Sequence, residues 1–151
     1  MRFRMFPLFA LVVCQTGCCQ LATNRRQPAF EAKHQVWKTV PHEGYITLGD
    51  FVLGKGEAAN NGTIGVRVSD VSSLPCQSSF AEPPKPVVVL QLFDARTNEP
   101  VCQKKFIGAG QEYFDDTCSV DGSRYSSNIR AINTKDGWVS FELRTAAQGT
   151  R

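Results

Sequence analysis

Histidine is scarce in this chain, and no apolar run is long enough to cross a bilayer. Only two histidines occur in 151 residues, His34 and His42. Both lie in a stretch without a clean hydrophobic period, whereas a catalytic triad needs its imidazole held rigidly between nucleophile and carboxylate. No G-x-S-x-G is present, and Asp121-Gly122-Ser123-Arg124-Tyr125 lacks the second glycine of a nucleophile elbow. Nor is there a C-x-x-C pair: the cysteines at 76, 102 and 118 have no histidine near them, which argues against zinc. Charge is thin as well. The 17 basic and 14 acidic residues leave +3, too weak a field for wholesale phosphate or nucleic-acid binding. These gaps point away from catalysis, from a metal and from a cofactor. What remains, 42% hydrophobic and 21% charged residues, is the composition of one globular core and not of a disordered polyelectrolyte.

The longest early apolar run, Met5 to Val13, has nine residues, against the ~20 that a membrane-spanning helix requires. Arg2 and Arg4 precede it, the small and polar group Cys14 to Cys19 follows it, and no acidic residue occurs before Glu31. Positive end, short apolar stretch and small-residue site are the three parts of an export signal. The most apolar later segment, Pro86 to Phe93, is interrupted by Gln91.

The end of that signal, Gln15-Thr16-Gly17-Cys18, resembles a bacterial lipoprotein signal peptide. The resemblance covers this segment alone. It implies that residues 1–17 are removed, that the Cys18 sulfur carries a diacylglycerol, and that the protein is attached to an envelope membrane through this lipid. The absence of Asp after Cys18 is compatible with an outer-membrane or periplasm-facing position. Acylation at Cys19 and an ordinary secretory cut near the same place remain alternatives.

Loss of residues 1–17 and lipidation of Cys18 would leave Cys19, Cys76, Cys102 and Cys118. Four thiols outside the cytoplasm can pair in three ways. Cys102 with Cys118 is the preferred bridge, because the intervening segment is short and both residues flank strand-like stretches. Closing a loop of about 15 residues would add roughly 3 kcal/mol. Cys76 is then left for Cys19, for a partner or as a free thiol.

Residues 18–42 read as a tether, with a short helical turn around Phe30 to Trp37. From residue 43 to 146 the pattern becomes short segments rich in Val, Ile, Phe, Thr and Tyr between Gly, Pro, Asn and Asp, the signature of an all-β domain. Thr63 to Val71 alternates, which puts Ile64, Val66 and Val68 on one buried face. Pro86 to Phe93 is apolar on both faces, as a central strand would be. A turn at Thr97–Pro100 leads to Val101–Ile107. Asn128 to Asn133 and Trp138 to Arg144 are joined by Thr134-Lys135-Asp136-Gly137, with Val139, Phe141 and Leu143 inward. Tyr45–Leu48 and Phe51–Leu53 are short candidates divided by Gly49, and the prolines between Leu74 and Pro86 mark a long loop. The expectation is a single antiparallel β-sandwich of about six or seven strands, immunoglobulin-like in size, followed by a disordered tail at 147–151.

Few residues suggest chemistry. Gly49 to Gly56 nearly matches a phosphate-binding loop, but Gly56 replaces the hydroxyl and no helix pattern follows Lys55, so a glycine turn is expected. Asp115, Asp116 and Asp121 could offer oxygen ligands to calcium, yet their spacing fits no EF-hand, and a solvated acidic loop is favoured. Asn61-Gly62-Thr63 is a glycosylation sequon and also a turn signal. Arg124, Tyr125, Arg130 and Trp138 could form an aromatic and basic surface suited to an envelope protein or a glycan. The sequence therefore reads as an exported, lipid-anchored binding or structural module. A secreted eukaryotic β-sandwich binding module and a small envelope hydrolase are the alternatives.

Overall fold

The computed structural model describes residues 34–75, 83–115 and 118–147. Ten strands run in chain order: β1 (His34–Pro41), β2 (Tyr45–Gly54), β3 (Ala58–Asn60), β4 (Ile64–Leu74), β5 (Lys85–Asp94), β6 (Glu99–Ile107), β7 (Gly110–Tyr113), β8 (Ser119–Val120), β9 (Ser123–Asn133) and β10 (Trp138–Ala146). Among the described residues they form two antiparallel sheets, and no helix occurs. Sheet A has the order β1-β2-β10-β9-β7, with β8 paired to β9, and sheet B the order β3-β4-β5-β6. The two sheets pack as a β-sandwich.

Alternation places the core. Phe51 and Leu53 of β2, Val139, Phe141 and Leu143 of β10 and Ile129 of β9 turn from sheet A toward Val66 and Val68 of β4, Leu90 and Leu92 of β5 and Phe106 of β6. All of these are buried, and such a contiguous apolar interior is the main source of the fold's stability. Ile64, Val66 and Val68 are inward as their alternation requires, and so are Val139, Phe141 and Leu143.

The expected six or seven strands become ten: the sequence segments correspond to β2, β4, β5, β6, β9 and β10, while β1 falls in the stretch read as tether and β3, β7 and β8 are too short to carry a period. Three further readings of the sequence are corrected. Tyr45–Leu48 and Phe51–Leu53 are one strand, because Gly49 continues it between Trp37 and Leu143. A Cβ at Gly49 would lie 2.6 Å from the Val36 carbonyl, so only glycine fits there. Residues 34–41, read as tether and helical turn, are instead the edge strand β1, anchored where Trp37 meets the Phe51 ring edge-on at 4.9 Å. Lys38, Pro41 and the bulge between Trp37 and Val40 conceal this strand in the sequence and blunt its edge against further pairing. The turn into β6 spans 95–98, two residues earlier than expected, with Asn98 at φ 58°.

Both sides of the sandwich are closed by cross-sheet contacts. On one side the Gln35 Nε2 donates to the Ala58 carbonyl at 3.3 Å. On the other, Cys102 of β6 stands at disulfide distance from Cys118, with Cα atoms 5.4 Å apart. Beside that pair the Phe106 and Phe114 rings meet edge to face at 5.4 Å, and the Lys104 ammonium donates to the Tyr113 carbonyl at 2.6 Å. Cys14, Cys18, Cys19 and Cys76, the signal segment and residues 148–151 lie outside the described residues.

One packing prediction follows from sheet B. Gly65 faces Phe93 across the β4–β5 pair, and a Cβ there would sit 2.0 Å from the ring. Gly65→Ala should therefore displace a ring that is 4% exposed and destabilise the domain by about 1–3 kcal/mol. Adding Phe93→Leu should restore part of the lost melting temperature; no recovery in the double variant would place the strain elsewhere.

Candidate functional site

Residues directly opposite one another in paired strands share a face, so the registers of sheet A define its outer surface. One row across that surface holds Gln111, Asn128, Glu142 and Asp50, from β7, β9, β10 and β2. The neighbouring row holds Tyr113, Ser126, Arg144 and Thr47. Four adjacent strands put these eight side chains on a platform roughly 15 Å wide. Further along, Ala131, Ser140 and Val52 form a row, and Asn133, Trp138 and Gly54 close that end.

The platform is electrostatically locked. Glu142 is only 6% exposed although it lies on the solvent side of the sheet, because long side chains close over it. Its Oε1 accepts from the Thr47 hydroxyl, and its Oε2 accepts from Arg144 at 2.7 Å. Arg130, projecting at the β9 bulge, spans Asp50 at 2.6 Å and Glu142 at 3.4 Å. Arg144 also donates to Gln111 at 2.7 Å and lies over the Tyr45 ring, 4.4 Å from its centroid. Burial alone would push the Glu142 pKa up; the hydrogen bonds from Arg144 and Thr47 outweigh it and hold the carboxyl at about 2, below its ordinary 4.5. Four charges thus cancel within one row and its neighbours.

Three of the four residues expected to form an interaction surface reach this face. Arg130 is part of the network, and Arg124 lies over the exposed Tyr113 ring at 5.6 Å. Trp138 lies half-buried across Gly54, whose Cβ position is 3.2 Å from the indole. Tyr125 is a correction: it is 6% exposed, points into the core, and donates its hydroxyl to the Val120 carbonyl at 3.3 Å. Burial raises its pKa. Tyr113, 50% exposed on β7, is the tyrosine that stands out on this face instead.

Glu142, Arg144 and Asp50 escaped the sequence reading although their signal was present. On β10, Glu142 and Arg144 share the parity of Trp138 and oppose that of Val139, Phe141 and Leu143, and on β2 Asp50 alternates with the inward Phe51. On β9 the step of three from Ile129 to Ile132 betrays the bulge at Arg130, and counting back by twos from Ile129 sends Tyr125 inward.

The remaining candidates are occupied otherwise. Lys55, in the near-match to a phosphate loop, pairs with Asp70 at 2.7 Å beyond the end of β2, and Gly56 makes a left-handed turn at φ 84°. Asp121 approaches Arg96 at 3.5 Å, while Asp116 lies outside the described residues. Among the described residues no group of three or more His, Cys, Asp and Glu could hold a metal ion. The Asn61 side-chain oxygen accepts from the Thr63 and Ile64 amides at 3.0 Å, the capped turn that Asn-Gly suggested. His42 stacks on Tyr45 at 4.6 Å, on the exposed surface. No family model, no curated protein and no solved structure matches the chain.

Proposed function

We propose that this protein is an exported binding module, tethered to an envelope membrane through a lipid on Cys18, and that the outer face of sheet A is its contact surface. The observation that carries the reading is the paving of one sheet face by fixed polar and aromatic side chains. Its centre, Glu142 with Arg144, stabilises the sheet, while Gln111 and Tyr113 at its margin lie on the short, exposed strand β7. Holding planar groups in place beforehand removes the ordering cost that binding otherwise incurs. The arginines before the Met5–Val13 run and the Gln15–Cys18 segment support export and lipidation. The 16 residues from Cys18 to the start of β1 would span at most ~55 Å extended, enough slack to present the face away from the bilayer.

Photocrosslinking in the cell envelope tests the surface. A benzophenone side chain at Gln111 or Tyr113 on sheet A should give a covalent adduct with another envelope macromolecule. The same group at Gln103 or Lys105, exposed on β6 of sheet B, should give none. Adducts confined to β6, or adducts from neither sheet, would contradict the assignment.

A further inference from the structure

We infer that the ligand of this face is a glycan chain, an inference that rests on the binding role proposed above. Three properties of the face select that chemistry. The first is the lack of an apolar centre. Among the described residues the exposed large hydrophobics are Val36 at 47%, Ile107 at 47% and Tyr113 at 50%. Val36 and Tyr113 belong to β1 and β7, the opposite edges of sheet A, and Ile107 belongs to sheet B. A stable protein interface buries a contiguous apolar core with a polar rim, and here the arrangement is reversed.

The second property is charge cancellation. Arg130 and Arg144 are held by Asp50 and Glu142 within 3.4 Å, so the centre of the face carries no net charge, and Arg124 at its β7 end adds too little to attract a polyanion. Nucleic acid and phosphate-rich surfaces are poor fits for such a platform.

The third is the kind of group left at the surface. Arg130 and Asp50, with side chains 48% and 40% exposed, are held to each other and keep outward N–H groups and lone pairs in fixed directions, whereas Glu142 and Arg144 beneath them are closed off. Sugar hydroxyls both donate and accept, so a vicinal diol can bridge the exposed guanidinium edge of Arg130 and the Asp50 carboxylate, with the exposed Gln111 amide in the same row as Asp50. The C–H faces of a pyranose pack on aromatic rings, which Tyr113 and the exposed part of Trp138 supply. From the Trp138 row to the Arg144 row the face extends six residues along β10, about 20 Å. That length suits several linked sugars better than a single one.

Native affinity electrophoresis tests the inference on the full exported chain, solubilised in detergent. The gels contain dextran, xylan, galactomannan, mixed-linkage β-glucan or the polysaccharide fraction released from the producing cell's own envelope. Retardation by at least one is expected. Tyr113→Ala and Gln111→Ala should each weaken the apparent Kd about tenfold, equivalent to about 1.4 kcal/mol, while Lys105→Ala leaves it unchanged. Matching melting temperatures would show that the variants remain folded. No retardation in any gel, or retardation indifferent to Tyr113 and Gln111, overturns the glycan. The crosslinked adduct separates the two readings: a protease-sensitive adduct from sheet A without retardation leaves the binding face standing with a protein partner. Absence of both adduct and retardation removes the face as well.

Discussion

Cys102→Ser should lower the stability of the domain by about 3 kcal/mol, the effect expected when a loop of this length is released in the unfolded chain. The bridge would close 16 residues of sequence between β6 and the segment that leads into β8. Its place in the fold explains why little else compensates. β7 has four residues, all exposed, and is held across the sandwich chiefly by Phe114 against Phe106 and by Lys104 at the Tyr113 carbonyl. Losing the sulfur contact frees that edge of sheet A from sheet B. Cys118→Ser and the double variant should show the same loss as Cys102→Ser, because one bond is removed in every case. Thermal denaturation with and without a reducing thiol provides the check, with a fall in Tm of ~10 °C for a domain of this size. A reductant that leaves Tm unchanged, or single losses that add in the double variant, would show that the two cysteines are not joined.

Glu142→Gln should be the costliest change on the outer surface of sheet A. It removes the charge on which Arg144 and Arg130 converge and leaves the Arg144 guanidinium, with a side chain 12% exposed, without its closest anion. A loss of about 2–3 kcal/mol at neutral pH is expected for one member of a largely buried pair. The pH dependence has a definite sign. The carboxyl titrates at about 2 in the folded protein against 4.5 ordinarily, so its contribution is complete above pH 4.5 and disappears as the pH falls toward 2. Asp94, held at about 2 by its double contact with Arg96, weakens over the same range and is common to both proteins. The difference between wild type and Glu142→Gln isolates the one group: denaturant titrations should give curves well apart at pH 7 and converging near pH 2. Curves separated by the same amount at both ends would mean that Glu142 acts through packing and not through charge.

Much of the fold is legible in the residues, and the reasons for the misses are physical. β4 and β10 declare themselves because one face of each is apolar and the other is not. β5 does so because it is central in sheet B and apolar on both sides. β1 was hidden by Lys38, Thr39 and Pro41, the very residues that keep an edge strand from recruiting further strands. The start of β9 was hidden because Ser126 and Ser127 are buried without being apolar, which no hydrophobic period reports. Cys102 and Cys118 are the preferred pair because the segment between them is short and both flank strand-like stretches, and they stand at disulfide distance. The site was harder. Arg124, Arg130 and Trp138 were visible as aromatic and basic residues, but Glu142, Asp50 and Thr47 acquire meaning only through strand register. The β2 and β10 irregularity between Leu143 and Arg144 is what turns Thr47 outward toward the carboxylate.

Mass spectrometry of the mature amino terminus decides whether this face is carried on a membrane-tethered domain. The chain isolated from its own cell should begin at Cys18 and carry the mass of a diacylglyceryl group on that residue, and Cys18→Ser should move the protein from the membrane to the soluble fraction. An unmodified terminus, together with a glycan attached to Asn61, would contradict the tethered envelope module and place the same β-sandwich in a eukaryotic secretory pathway.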